Sequence, residues 1–428
     1  MQLEVSKKNN GTGGLKGEVT IPADKSISHR AVMFSALAKG VSIIENFSKG
    51  ADCLSSLAVM NALGIKSEFK NEKTLIIDAT NGFKAPTQEL FCGNSGTTMR
   101  LMSGLMSGQN FDSILTGDES LSKRPMARVI KPLELMGAKI FSNENKAPLK
   151  IFGQQLHGID YVSELASAQV KSCVLLAGLN ASGQTSFTEP HLSRNHTELM
   201  LEYFGAKLNV RNNKVTIEQS ELQAKNLTIA GDISSAAFFI VAGLIVPNSD
   251  ITLKNVGLNP TRTGIFDVVQ QMGGNVEILD KKIVSNEEVG DLRIKYSELK
   301  ACTIEGEIIP RLIDELPVIA VLASQALGTT IIKDAQDLRN KESDRIKAVV
   351  TELKKIGVNI CETDDGFIVE GKSTLKGDAV VETYHDHRLA MSLYVAGLIC
   401  EKPILINEFE WVNISFPEFE ELFSKLGN

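Results

Sequence analysis

Apolar and polar positions repeat along this chain on a long period. A polar or glycine-rich opening leads into an apolar helix of small residues; a β-type run follows, and a second helix stops at glycine. The openings read KSISHR, GNSGTTMR, SAQVKS (Ser167 to Ser172), GDISSA (Gly231 to Ala236), IDELPV (Ile313 to Val318) and HDHR (His385 to Arg388). The second helices end at Leu63-Gly64, Met136-Gly137, Phe204-Gly205, Met272-Gly273, Ile356-Gly357 and Leu426-Gly427, where glycine suits the left-handed residue that closes a helix. The spacing is about 70 residues, longer than a solenoid repeat but the same kind of sequence signal.

The first unit shows the pattern in detail. Leu3 and Val5 alternate, a Gly-rich turn follows, and GEVTIPADKSISHR (Gly17 to Arg30) breaks a strand at Pro22 and Asp24. Lys25, Ser26, Ser28, His29 and Arg30 then sit at a helix start. The helix reads AVMFSALAKG to Gly40, VSIIENF is a strand, and a second helix begins near Asp52. Six such βα-type units account for nearly the whole chain. Helices this rich in Ala, Gly, Ser and Met, with little charge on any face, must be buried on all sides. Two bundles of three units, each around buried helices, are therefore expected.

Length agrees, since 428 residues exceed one ordinary core and favour two domains. A hydrophobic content of 43% fits a soluble α/β protein. The apolar run Ala236 to Pro247 is too short to cross a bilayer. The start, MQLEVSKKNN, lacks a basic-then-apolar secretion pattern. Cys53, Cys92, Cys173, Cys302, Cys361 and Cys400 lie far apart with no CxxC pair, which predicts reduced thiols and a cytoplasmic protein. A net charge of −7 argues against general nucleic-acid binding. Small anionic substrates stay open, because a few focused cations decide that locally.

GNSGTTMR (Gly93 to Arg100) has the make-up of an anion site. Its glycines allow close backbone approach, a helix start follows, and an arginine lies one turn in. The octet alone would equally serve as an ordinary helix cap. The wider cation pattern extends the first reading. Lys25, Arg30, Arg100, Lys123, Arg124, Arg128, Lys171, Arg194, Arg311, Arg339, Lys341, Arg345 and Arg388 all lie at helix starts or in adjoining loops. Singly, each would be a solvated surface charge. If those helix starts converge, they build a site for a multiply charged anion or for two anions.

Asp314 and Glu342 stand out because each accompanies cations: Arg311 before one, Lys341 and Arg345 around the other. They read either as helix-start acids or as an acid and a base tuned by neighbours. His385 and His387 invite a metal, but no third ligand cluster appears, so none is expected. No GxSxG, P-loop or GxGxxG with a following acid is present, which disfavours nucleophilic hydrolysis and nucleotide binding.

Taken together, KSISHR, GNSGTTMR, SLSKRPM, SAQVKS, NPTRTG, IDELP, RNKESDR, HDHRLAM and SFPEF resemble the 5-enolpyruvylshikimate-3-phosphate synthase family from end to end. ASAQVKS, KRPM and NPTRTG look most like its second class, which includes glyphosate-tolerant members. The resemblance implies a two-domain inside-out α/β barrel, each domain made of three βαβαββ repeats. One domain would comprise 1–20 and 231–428 and the other 21–230, with a hinge crossed near Thr20 and Ala230. The first would close the site with Asp314, Lys341, Glu342, Arg345 and Arg388. The second would carry Lys25, Gly96, Arg124 and Ser167 to Gln169.

The implied reaction moves the enolpyruvyl group of phosphoenolpyruvate to the 5-hydroxyl of shikimate 3-phosphate and releases phosphate. By the same resemblance, Lys25, Ser26, Arg30, Ser167, Ala168, Gln169, Arg194, Asp314 and Lys341 would hold shikimate 3-phosphate. Phosphoenolpyruvate would lie against Lys25, Gly96, Arg124, Gln169, Glu342, Arg345 and Arg388. Asp314 and Glu342, with Lys25 close by, would exchange the protons. No cofactor, metal, nucleic acid or membrane is implied, and a monomer is expected.

Two positions depart from relatives. Many members have a lysine just before the [ST]FP of the last repeat, where this chain has Ile414, so one phosphoenolpyruvate contact is absent or replaced. Tolerant members can carry alanine where this chain has Gly96. The related UDP-N-acetylglucosamine enolpyruvyl transferase has an asparagine after the first-loop lysine and a reactive loop cysteine. Here Ser26 follows Lys25, and no cysteine lies in a basic loop near Arg124. A non-catalytic anion-binding scaffold would have no need of Asp314 and Glu342 beside cations.

Overall fold

Five of the six apolar helices begin the same way. In a computed structural model, which describes residues 1–7 and 13–427, the inner helices are Lys25–Leu37, Gly96–Ser107, Ala168–Gly178, Ile233–Ile245, Leu316–Ser324 and His387–Gly397. All but Leu316–Ser324 carry an Asp or Ser cap (Asp24, Ser95, Ser167, Asp232, Asp386) whose side chain accepts a first-turn N–H. Every residue of Ile233–Ile245, Leu316–Ser324 and His387–Gly397 is buried, as their charge-free faces predict. The Gly-rich turn expected after Val5 falls largely on residues 8–12, outside the described residues.

The outer helices end as their glycines require. Gly64, Gly137, Gly205, Gly273 and Gly357 have φ between 79° and 102°, a region that L-residues avoid. At each, the following residue's N–H closes a Schellman bond, for example Ile65 to the Met60 carbonyl and Val358 to the Leu353 carbonyl. The sixth differs: the helix Phe419–Gly427 runs through its glycine.

Among the described residues, six small sheets match the six repeats. In the first, Leu227–Thr228 runs parallel to Val41–Glu45, which pairs antiparallel with Leu75–Asp78 and so with Lys66–Phe69. Four others repeat that order, a parallel pair followed by a hairpin. The last sheet has no hairpin. The N-terminal strand Leu3–Val5 lies antiparallel to Ile404–Ile406 instead, beside Ala379–Val381. The architecture is the two-domain inside-out α/β fold with three repeats in each part, βαβαββ in all but the last, which lacks the closing hairpin.

The chain divides into two compact units. Unit one is Met1–Pro22, Gly231–Lys282 and Glu288–Asn428; unit two is Ala23–Ala230 with Ile283–Glu287. In unit two, a Cβ on Gly104 would lie 2.1 Å from the Cys173 carbonyl oxygen, so the helices Gly96–Ser107 and Ala168–Gly178 meet at a position that only glycine allows. In unit one, Phe239 stacks on Phe423 at 4.2 Å, with Phe416 and Phe419 of the SFPEF motif packed around it. That motif is therefore partly a core plug. No helix among the described residues is long and apolar enough to cross a membrane.

Candidate active site

Unit two brings its candidate residues together at helix starts. Asp24 accepts the Ile27 N–H and leaves Lys25 as the first helical residue, half-buried, with Nζ 3.1 Å from Asp52 Oδ2. Arg30 is buried, donating from Nε to Thr197 Oγ1 (2.7 Å), from Nη1 to the Ser26 carbonyl (2.9 Å) and from Nη2 to Ser172 Oγ (2.8 Å). Burial pushes the pKa of His29 down to about 3, so it is a neutral core histidine, bonded through Nδ1 to Ser56 Oγ at 2.7 Å.

The second inner helix carries the next group. Arg100 donates to Gln169 Oε1 at 2.5 Å, and Gln169 Nε2 donates to Thr97 Oγ1 at 3.0 Å, which ties GNSGTTMR to SAQVKS. Arg124 donates to Asn94 Oδ1 (2.8 Å), and Asn94 in turn to Asp118 Oδ2 (2.8 Å), so its guanidinium is aimed by a two-step chain. A Cβ on Gly96 would lie 3.2 Å from Arg100 Nη1 and 3.4 Å from Arg124 Nη1. The glycine thus sits between two guanidinium groups. Ser167 caps its helix through the Val170 N–H at 3.5 Å, and Ala168 is the first helical residue. Arg194 lies half-buried just before the helix His196–Tyr203.

Unit one holds a tighter cluster. Asp314 Oδ1 accepts from Lys341 Nζ and Arg345 Nη1, both at 3.3 Å, and Arg388 Nη2 stands 4.0 Å from Oδ2. Glu342 Oε2 is 2.6 Å from Arg345 Nη2. Arg345 is fully buried and donates from Nε to Asp386 Oδ2 at 2.7 Å. Burial opposes its charge, but Asp386, Glu342 and Asp314 outweigh that and hold it protonated beyond the usual arginine range. Burial likewise pushes Asp386 up, and the Arg345 guanidinium overcomes it, so the carboxyl lies below the usual aspartate range. Asp386 also accepts the Arg388 N–H (2.9 Å) and the Ser343 hydroxyl (3.1 Å). One carboxylate thereby aims the Arg345 guanidinium and caps the helix that carries Arg388.

Several sequence expectations need correcting. Arg311 is not the cation beside Asp314: it pairs with Asp267 at 2.6 Å. Arg339 pairs with Asp344 and Glu362, and Lys123 is an exposed helix-surface partner of Glu119. Lys171 is buried between Glu189 and Glu198, each at 2.7 Å. These four cations serve structure. His385 and His387 diverge: His385 is exposed, pairs with Glu408 at 3.1 Å and stacks on Trp411, whereas His387 is buried. Among the described residues no group of three His, Cys, Asp or Glu could hold a metal. Ile414 ends a short 3-10 helix, Phe409–Ile414, and is half-buried.

The sequence reading left out Asp52, Asn94, Asp118 and, above all, Asp386. The last sits in HDHR, between two histidines that drew attention to metal chemistry instead. Its signal was available: an aspartate directly before a helix is a capping residue, and one cap in a cation-rich set is placed to hold an arginine.

The enolpyruvyl transferase NikO from Streptomyces tendae has the same fold, with a TM-score of 0.80 at 17% identity over 100% of this chain and 97% of that one. The likeness narrows at higher identity. A solved EPSP synthase from Acinetobacter baumannii matches with a TM-score of 0.90 at 43% identity, covering 100% of this chain and 98% of that one. The family model for EPSP synthase (3-phosphoshikimate 1-carboxyvinyltransferase) matches residues 9–423. The 3-phosphoshikimate 1-carboxyvinyltransferase of Thermoanaerobacter sp. (strain X514) is 50% identical over 428 residues, all of both chains. That of Bacillus subtilis (strain 168) is 52% identical over 420 residues, 96% of this chain and 97% of the other. The chain belongs to the EPSP synthase family.

Proposed function

We propose that this chain works as its family does, transferring the enolpyruvyl group of phosphoenolpyruvate to the 5-hydroxyl of shikimate 3-phosphate and releasing phosphate. The single observation that carries the residue-level reading is the cluster of Asp314, Lys341, Glu342, Arg345 and Arg388 around Asp386. Two carboxylates held among three cations suit proton exchange beside anionic substrates. Arg345, Arg388, Glu342, Arg124, Gly96, Gln169 and Lys25 take phosphoenolpyruvate. Lys25, Ser26, Arg30, Ser167, Ala168, Gln169, Arg194, Asp314 and Lys341 take shikimate 3-phosphate.

The chemistry follows from the substrates. Protonating the methylene carbon of phosphoenolpyruvate makes its neighbouring carbon electrophilic, and the 5-hydroxyl loses its proton as its oxygen attacks there. Losing phosphate and one methyl proton then restores the enol. Asp314, Glu342 and Lys25 are the groups assigned to these transfers. The protein acts as a monomer in the cytoplasm; six free cysteines, four of them buried, support the reducing compartment.

Phosphate release from phosphoenolpyruvate is the direct test, measured with and without shikimate 3-phosphate. Release that needs both substrates supports the reading. Release with UDP-N-acetylglucosamine in place of shikimate 3-phosphate would overturn it.

Glyphosate, an analogue of phosphoenolpyruvate, probes the Gly96 position. Gly96 has no positive φ, and the nearest atoms an added methyl meets are the flexible ends of two arginine side chains. Gly96→Ala should therefore fold normally. It should weaken glyphosate inhibition by about 1–3 kcal/mol, roughly 5- to 150-fold, the usual cost of overpacking a site. The wild-type chain is at most moderately tolerant, since losing a cation at Ile414 is worth only about 0–1 kcal/mol. Inhibition unchanged in an active Gly96→Ala enzyme would remove Gly96 from the inhibitor site.

A further inference from the structure

We propose that Lys171 is a positioning residue for shikimate 3-phosphate: its buried ammonium fixes the segment that presents Arg194. The inference rests on the reading above that Arg194 binds this substrate.

Lys171 lies in the helix Ala168–Gly178, and its side chain is 1% exposed. Its Nζ is 2.7 Å from Glu189 Oε1, 2.7 Å from Glu198 Oε1 and 3.3 Å from the Ser193 carbonyl oxygen. An ammonium has three donors, and three oxygens surround this one. Those oxygens belong to residues on both sides of Arg194. Glu189 Oε1 also accepts the Ser193 N–H at 3.0 Å, which closes the segment on itself.

The next residue continues the link. Ser172 Oγ meets Thr197 Oγ1 at 2.6 Å, and Arg30 donates to both. Two consecutive residues of one helix thus meet two consecutive residues, Thr197 and Glu198, of the helix His196–Tyr203. Residues 189–195 between strand Thr185–Thr188 and that helix have no helix or strand of their own. The Glu189 N–H bonds the Asn213 carbonyl at 3.0 Å, and beyond that the segment relies on side-chain contacts such as these. An arginine held there in advance loses less freedom when a phosphate or hydroxyl binds.

Lys171 itself cannot serve the substrate, because its donors already face two carboxylates and a carbonyl. Apolar side chains replacing the whole group, Lys171, Glu189 and Glu198, could fill the space with little loss of stability. They could not tie together three points along residues 189–198 as the ammonium does, and that is the function assigned here.

The test uses the full chain. Lys171→Met alone leaves two buried carboxylates unpaired, so the informative variant is Lys171→Met/Glu189→Gln/Glu198→Gln. A milder one, Glu189→Ala, keeps Lys171 and Glu198 matched one to one. In both, amide hydrogen exchange at 190–195 without substrate should quicken, by about tenfold in the triple variant. The shikimate 3-phosphate KM should rise about tenfold in the triple variant and about threefold in Glu189→Ala, with the phosphoenolpyruvate KM and kcat within about twofold of wild type. Unchanged exchange in either folded variant overturns the proposal, and so does an equal rise in both KM values. Arg194→Ala, run in parallel, should raise the shikimate 3-phosphate KM. If it does not, the Arg194 reading fails, and the exchange rates still report separately whether Lys171 orders the segment.

Discussion

Lys25→Met is expected to leave the protein folded and to cut turnover by about 10²- to 10³-fold, the usual cost of removing one charge-stabilising donor from a reacting centre. Lys25 heads an inner helix instead of filling a core; its cap, Asp24, is untouched by the change. The change forfeits a half-buried ion pair with Asp52. Pairs of that exposure are worth about 0–1 kcal/mol, too little to unfold a protein of this size. Methionine keeps the length of the stem. Phosphate release at saturating substrates, set beside a thermal melt, separates the outcomes. Wild-type turnover in a normally melting variant would take Lys25 out of the chemistry. A collapsed melting temperature would make it a structural lysine.

Lys25 and Lys171 show what the sequence can and cannot tell. Both follow polar openings and both are cations at the start of apolar helices. The sequence groups them, because helix starts, caps and terminal glycines are local features with local physical causes. The same locality explains why the fold was legible: five caps and five Schellman glycines mark the repeats, and the all-round apolar helices demand a bundle. Partner choice is tertiary. Arg311 precedes Asp314 by three residues yet pairs with Asp267, while Asp314 takes Lys341 and Arg345 from some thirty residues on. Nor does the sequence show that Leu3–Val5 stands in for the missing hairpin of the last sheet, since a three-residue strand carries little pattern.

Asp386 is the residue that locality concealed, and Asp386→Asn is expected to impair both stability and catalysis. Its carboxylate is buried, takes Arg345 Nε at 2.7 Å and caps the Arg388 helix. Asparagine preserves the shape and the cap but not the charge. Arg345 keeps Glu342 and Asp314, so the cost should fall near the lower end for a broken buried pair, about 3 kcal/mol. In a unit of this size that lowers the melting temperature by about 6–12 °C. The pH dependence gives the sharper check. Arg345 holds the folded carboxyl below its unfolded value of about 3.9, so the ion pair's contribution is complete above that value. It fades as pH falls through the lower folded value. The stability gap between wild type and Asp386→Asn should therefore be constant from pH 6 to 8 and narrow below about pH 4. In activity, Arg345 loses the carboxylate that aims it, which should lower kcat/KM for phosphoenolpyruvate about 10²-fold. A gap in denaturant unfolding that stays the same at pH 3 and pH 7 would mean that the charge of Asp386 does not hold Arg345. The catalytic loss would then need another cause.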